Sequence, residues 1–291
     1  MSIWEHLDQQ ISQATGRPFQ ARDNQGVGGG CINQTTRISD GQRSYFVKIN
    51  HIDHGDMFQA EAEGLAEMAA GKTLRVPEPI VYGDYEQQCY LVLEYLPLEG
   101  RIDSRAFGEQ FAAMHRITQP RFGWHRNNTI GSTPQINDWC DDWVEFWRQH
   151  RLGYQLRLAQ SNGCGNQLLD LGEQLMSRMS VLFDDYQPQP SMLHGDLWTG
   201  NAAALKNGTP VIFDPAFYYG DREADLAMTE LFGSFGRDFY AAYNAVWPID
   251  AGYNVRRTFY NLYHIINHFN MFGGGYLGQA VNMAERVLAE I

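Results

Sequence analysis

The chain of 291 residues has few cysteines and few bases, and it contains no long uninterrupted apolar run. Its four cysteines, Cys31, Cys89, Cys140 and Cys164, form no CxxC pair and have no histidines at zinc-finger spacing. A metal-finger or disulfide framework is therefore excluded, and a reducing, cytoplasmic setting is expected. Lys and Arg number 22 against 34 Asp and Glu, a net charge of −12, so neither nucleic acid nor an anionic membrane is an expected partner. The N-terminus, MSIWEHLDQQ, has no basic start and no long apolar core; it reads as an amphipathic helix and not as a signal peptide. Residues 258–283 carry no Asp, Glu, Lys or Arg, but two His, four Asn and three consecutive Gly interrupt them, so the stretch reads as buried helix plus a glycine turn.

What is present is ordinary globular composition, 44% hydrophobic and 19% charged, and enough length for one large or two modest domains. Residues 19–50 show short alternating runs, a glycine cluster at Gly26, Gly28, Gly29 and Gly30, and Asp40-Gly41, a strong hairpin signal. Antiparallel sheet is expected there, with Tyr45–Ile49 as the third strand. Residues 57–70 repeat at helical spacing, Val76-Pro-Glu-Pro79 stops that helix, and Ile80–Tyr82 and Cys89–Leu93 give two more strands. Beyond Leu96-Pro97 the pattern turns helical over 103–116, 138–160, 165–184, 222–245 and 255–290, apart from a strand-rich patch at 191–215. A domain boundary is expected near Leu96, dividing the chain into 1–96 and 97–291.

The most informative string is Leu193-His194-Gly195-Asp196-Leu197-Trp198-Thr199-Gly200-Asn201, followed by Ile212-Phe213-Asp214-Pro215. An Asp, an Asn five positions on and a second Asp after a short hairpin supply what phosphoryl transfer from a magnesium nucleotide requires: one carboxylate for the hydroxyl proton, and an amide and a carboxylate as hard oxygen ligands. Both segments follow apolar runs, so the acids emerge at the ends of buried strands, where turn formation alone does not call for this combination.

These strings resemble the protein-kinase-like fold, and within it the small-molecule kinases that include aminoglycoside phosphotransferases and choline kinases. GGGCIN at 28–33, FVKIN at 46–50, EAEGL at 61–65, LVLEYL at 91–96, HGDLWTGN at 194–201 and FDPAFYYGDREADLAM at 213–228 are together most similar to the fructosamine kinase (ketosamine-3-kinase) family, in order across essentially the whole chain. The resemblance implies an α+β, bilobal fold: a five-stranded antiparallel N-terminal lobe, a mainly helical C-terminal lobe, and a nucleotide between them. It implies ATP and Mg²⁺, with Asp196 as base, Asn201 and Asp214 on the metal, and Lys48 on the phosphates, paired with Glu61. Helix geometry favours Glu61 over Glu63, because Glu61, Leu65 and Met68 share the face that should pack on the sheet. Val92, Leu93, Glu94, Tyr95 and Leu96 would form the hinge that meets adenine through main-chain groups. Asp225 would brace the catalytic loop from the next helix.

The glycine cluster does not complete GxGxxG, because Cys31 holds the last place, and it lies between strands, which disfavours a dinucleotide fold. Gly28, Gly29 and Gly30 instead fit a loop whose amides approach phosphates. Gly71-Lys72-Thr73 looks like the end of a Walker A loop, but Ala66 stands where its first glycine should be. By resemblance, Cys31 is a redox candidate that could join two protomers in a homodimer. His264 and His268 have zinc-helix spacing, but Ile265 replaces the glutamate of HExxH, so a helix histidine pair is the reading. Trp139, Trp143 and Trp147 recur every four residues and read as core or cleft lining of one helix.

Only ten residues lie between Asp214 and Asp225, too few for a long activation loop, so a small acceptor is expected in place of a protein docked as in protein kinases. The family resemblance makes that acceptor a ketosamine, free or protein-bound, phosphorylated on its third-carbon hydroxyl in a deglycation repair. Trp198 would face the sugar, with His268 and Asn270 as further substrate candidates. Two alternatives stand beside this: a kinase for another acceptor such as an aminoglycoside or choline, and a non-catalytic nucleotide-binding module.

Overall fold

A computed structural model describes residues 1–28 and 33–291; the expectations for Gly29, Gly30 and Cys31 lie outside the described residues. The chain divides into two compact units, Met1–Ile102 with Ala203–Asp214, and Asp103–Ala202 with Pro215–Ile291. Residues 97–102 thus run with the first unit, and 203–214 return to it.

The first unit opens with α1 (Ile3–Thr15). Ser2 and Glu5 satisfy each other's backbone N–H groups at its start, and Gly16 ends it at φ +67°. Five strands follow: β1 (Asp23–Gly26), β2 (Gln34–Ser39), β3 (Ser44–His51), then, after α2 (Gly55–Ala70), β4 (Pro79–Tyr85) and β5 (Gln88–Glu94). All pair antiparallel in the order β1-β2-β3-β5-β4. Asp40 and Gly41 lie in the β2–β3 connection, where Asp40 Oδ1 accepts from the N–H groups of Gln42 and Arg43 and Gly41 sits at φ +95°.

The period-two side chains of β3 explain the layering. Tyr45, Val47 and Ile49 join Leu7 and Ile11 of α1, Phe19, Ile38, Tyr90 and Val92 in one buried cluster. The intervening Lys48 therefore points to the opposite face, toward α2, which buries Phe58, Leu65 and Met68.

The second unit contains α3 (Ser104–His115), β6 (Asn128–Ile130), β7 (Thr133–Gln135), α4 (Trp143–Trp147), α5 (Gly153–Ser161), α6 (Asn166–Arg178), β8 (Ser191–Leu193), β11 (Tyr218–Gly220), α7 (Arg222–Thr229), α8 (Arg237–Val246), α9 (Tyr253–Phe272) and α10 (Tyr276–Leu288). Between β8 and β11 in sequence, β9 (Ala202–Ala204) starts at the unit boundary and pairs with β10 (Pro210–Ile212). The core of the second unit is strongly aromatic: Phe107 and Phe111 of α3 meet Phe239 of α8, and the two helices approach so closely that a Cβ at Gly108 would lie 2.2 Å from the Phe239 carbonyl oxygen.

Two helical expectations change. The run 138–160 becomes helical only at Trp143, where Asp142 caps the helix by accepting from the Glu145 N–H at 2.7 Å; before it, Cys140 exchanges two backbone hydrogen bonds with Phe122. Trp139 consequently lies outside the helix and 37% exposed, while Trp143 and Trp147 are buried. The run 222–245 breaks over 230–236, where Gly233 and Gly236 take φ +129° and +87°. The glycine turn expected within 255–290 is present: two helices are parted at Gly273 and Gly274, both at positive φ, and among the described residues no helix is long and apolar enough to cross a membrane. The β6–β7 hairpin had no expectation at all.

Candidate active site

In the first unit, strand alternation and one helix face bring three predicted residues together. Lys48, 4% exposed, places Nζ 2.6 Å from Glu61 Oε1 on α2 and 2.6 Å from Asp214 Oδ1. Burial alone would push the lysine pKa down, but Asp214 and Glu61 outweigh it and hold the ammonium above its ordinary value. Burial raises Glu61 against the pull of Lys48. Asp214 reaches this point because Ile212 N–H donates to the Arg75 carbonyl at 3.0 Å, seating β10 on the segment before β4. It adopts φ +58°, a left-handed conformation that aspartate tolerates better than most residues.

At the expected hinge, Leu91, Val92 and Leu93 are buried in β5, and the backbone leaves the strand after Glu94. The Glu94 carboxylate is held by Arg75 and also accepts from the Glu78 N–H at 3.2 Å. Arg37 lies over the Tyr95 ring at 4.8 Å, and Leu96 is half-buried. Gly28 has a φ outside the left-handed region, and a Cβ placed on it would meet nothing within 4 Å among the described residues.

In the second unit, β8 delivers the His194-Gly195-Asp196 turn. Asp225 of α7, 1% exposed, accepts from the backbone N–H groups of His194 and Gly195, both at 2.7 Å. His115 Nε2 lies 3.3 Å from the same carboxylate, and Tyr243 Oη lies 2.8 Å from His115 Nδ1. A carboxylate cannot donate, so Nε2 carries the ring proton and Nδ1 accepts from the tyrosine. Gly195 sits at φ +83°, where a Cβ would fall 2.0 Å from the Ala216 carbonyl oxygen; no other residue fits this turn. The Asn201 Nδ2 group donates to the Asp196 carbonyl at 2.8 Å and to Asp196 Oδ2 at 3.3 Å.

In the second unit Asn201 thus turns Nδ2 to Asp196, and in the first Asp214 turns Oδ1 to Lys48, so these bonds do not use the amide oxygen of Asn201 or the second carboxylate oxygen of Asp214. Among the described residues no group of three or more His, Cys, Asp or Glu is placed to hold a metal ion.

Trp198, 36% exposed, meets Phe232 edge-on at 6.4 Å, and His268 lies over Phe232 at 4.6 Å, so the two predicted substrate residues border one aromatic ring. Asn270 does not join them: two residues from His268, it is on another helix face, where its amide bonds Gln155 and Asn162. The histidine pair holds no metal geometry; His268 Nδ1 donates to the His264 carbonyl at 2.8 Å, and burial presses His264 down to about 3.

Sequence reasoning missed the charges that anchor α7. Asp221, fully buried, caps the helix and accepts from Tyr186 Oη at 2.7 Å and from Tyr260 Oη. Glu223 pairs with Arg256 at 2.6 Å, and the guanidinium of Arg256 stacks on Tyr186. Together they hold the first turn of α7, from which Asp225 reaches the His194-Gly195-Asp196 turn. Their one signal was a helix start, Asp221-Arg-Glu223, dense in charge amid an aromatic-rich segment.

A family model for fructosamine kinase matches residues 3–290. This chain belongs to the fructosamine kinase family. A Synechocystis relative named "Probable ketoamine kinase" is 50% identical over 288 residues, 98% of this chain and 97% of its own length. An Arabidopsis thaliana relative, the chloroplastic protein-ribulosamine 3-kinase, is 44% identical over 266 residues, 90% of this chain and 81% of its own. The crystal structure of a fructosamine-3-kinase candidate from Haemophilus somnus superposes with a TM-score of 0.90 at 28% identity, covering 99% of this chain and all of the other. An ADP-bound aminoglycoside phosphotransferase, at 14% identity and a TM-score of 0.66 over 98% of both chains, shares the fold. The expected protein-kinase-like α+β fold is thus the fold of this family member, with its five-stranded antiparallel sheet and a helical remainder.

Proposed function

We propose that this fructosamine kinase family member transfers the γ-phosphoryl group of ATP to the 3-hydroxyl of a ketosamine, small or protein-bound, and so serves deglycation in the cytoplasm. The observation that carries the reading is the pair of preorganised constellations: Lys48 held between Glu61 and Asp214, and Asp196 held by Asn201 on a loop tied to Asp225. The names of the ketoamine and ribulosamine kinase relatives support the acceptor class.

Lys48, kept protonated by its two carboxylates, is the cation for the α and β phosphates, while Glu61 fixes its direction. The backbone of Val92–Leu96 would meet the adenine edge, and Gly28–Gly30 the phosphates. Asn201 Oδ1 and the Asp214 carboxylate would hold Mg²⁺, which when bound neutralises phosphate charge. Asp196 takes the proton of the attacking hydroxyl; its backbone is set by Gly195 and Asp225, so the base needs little reorganisation as charge moves. Trp198 and His268, about Phe232, offer an aromatic and imidazole surface for the sugar.

The test is an acceptor screen with coupled ADP detection, using a ribulosamine, a fructosamine, an aminoglycoside and choline. Turnover confined to the ketosamines is expected, and Asp196→Ala should abolish it with nucleotide binding retained. Near-normal turnover in that variant overturns the assignment of the base; turnover of the aminoglycoside or choline alone overturns the acceptor class; ADP from none of the four returns the non-catalytic reading.

A further inference from the structure

α9 and α10 pack against each other on either side of the Gly273–Gly274 turn. Near the turn, His268 of α9 and Tyr276 of α10 touch each other, with Phe232 and Trp198 beside them. Away from the turn the same helices change character. Asn261 and Arg257 of α9 and Gln279, Asn282 and Arg286 of α10, with Leu231, the neighbour of Phe232, line a cavity of about 480 Å³.

The lining carries two guanidinium groups and no carboxylate, in a chain with 34 acids to 22 bases. Arg257 is braced from Glu230 at 2.5 Å, whereas Arg286 has no ion pair among the described residues. Asn261 is 6% exposed and its Oδ1 has no hydrogen-bond partner among the described residues. A buried acceptor left unpaired is uncommon and marks a place where another group belongs. Cations and an unpaired acceptor in one polar cavity complement an α-amino acid head group: carboxylate to arginine, ammonium to the Asn261 oxygen.

The spacing links this cavity to the acceptor. Asn261 precedes His268 by seven residues, about 10 Å along the helix. An extended lysine arm from Nε to the carboxylate spans about 8 Å by bond lengths. We propose that the cavity lined by Arg257, Asn261 and Arg286 binds the amino-acid head of the amine that carries the sugar, so that the enzyme prefers ketosamines of free lysine over those of simple amines. The proposal rests on the ketosamine reading above and adds which amine the site selects.

Steady-state kinetics with three ribulosamine adducts tests it: on the ε-amine of lysine, on the ε-amine of Nα-acetyl-lysine, and on 1,5-diaminopentane, which lacks the carboxylate. The wild type should show kcat/KM at least about tenfold higher for the lysine adduct than for the diaminopentane adduct, carried in KM, since one charge-assisted contact accounts for that much. Arg286→Ala should bring this ratio to within about twofold of one, Arg286→Lys should retain part of it, and Asn261→Ala should erase the preference for lysine over Nα-acetyl-lysine. Arg286 is exposed, so its variants report on binding and not on folding. Equal kcat/KM for lysine and diaminopentane adducts in the wild type, or a ratio unmoved in Arg286→Ala, overturns the proposal while the ketosamine reading stands. No turnover of any adduct overturns both.

Discussion

Asp225→Asn is the substitution whose consequence the geometry specifies most closely. The carboxylate is 1% exposed and accepts two backbone N–H groups at 2.7 Å, with the His115 Nε2–H as a third, weaker donor. An asparagine keeps one oxygen and turns an NH₂ group toward a donor that then has no acceptor. Losing one charge-assisted bond and leaving one buried N–H unpaired should cost about 2–4 kcal/mol. The damage falls on His194 and Gly195, immediately before Asp196, so kcat should drop about 100-fold or more while the KM for ATP moves little. Urea unfolding followed by tryptophan fluorescence measures the first effect through the transition midpoint, and coupled ADP release measures the second. His115→Gln, which touches the same carboxylate at longer range, should do less of both. A stability within about 0.5 kcal/mol of wild type, or kcat within twofold, would refute the idea that Asp225 sets the catalytic loop.

Lys48→Met leaves Glu61 buried without its cation and should abolish turnover and lower stability by about 3 kcal/mol, whereas Glu61→Gln should retain folding and lose mainly kcat; urea midpoints and initial rates separate the two. His264 is buried neutral with its pKa depressed to about 3, below its unfolded value of 6.5, so the unfolded chain binds the extra proton between those values. Stability should therefore be lost as pH falls below 6.5, by about 2 kcal/mol from this group at pH 5, and His264→Phe should flatten that slope in a urea series across pH. Cys31 is tested by non-reducing electrophoresis after peroxide: a dimer band is expected in wild type and not in Cys31→Ala, and identical monomer bands would discard the redox dimer.

Much of the architecture was legible because it rests on local periodicity. The alternation Tyr45, Val47, Ile49 places Lys48 on the opposite face of its strand whatever the rest of the chain does, and the i, i+4 relation of Glu61 to Leu65 directs that carboxylate to the sheet side of α2. The errors arose where local pattern was outvoted: Asp142 caps a helix that apolar spacing would have begun at 138, and Gly233 and Gly236 open a gap that puts Phe232 beside His268 and Trp198.

Of the residues proposed for phosphoryl transfer, Lys48 is picked out by the family resemblance, and Asp196, Asn201 and Asp214 stand in the sequence by type and spacing, because each role demands a particular functional group. Their partnerships do not. Lys48 meets Asp214 across 166 positions, and Asp225 reaches His194 across 31, distances over which no periodicity carries information. Nor could composition say that Asp221, Glu223 and Arg256 would be buried together, since burying such charges is unfavourable until each finds its counterpart, and only packing brings the counterparts into reach. Chemical capability was written in the linear order of residue types; which carboxylate holds which loop, and where a buried acceptor waits unpaired, was decided by the tertiary fold.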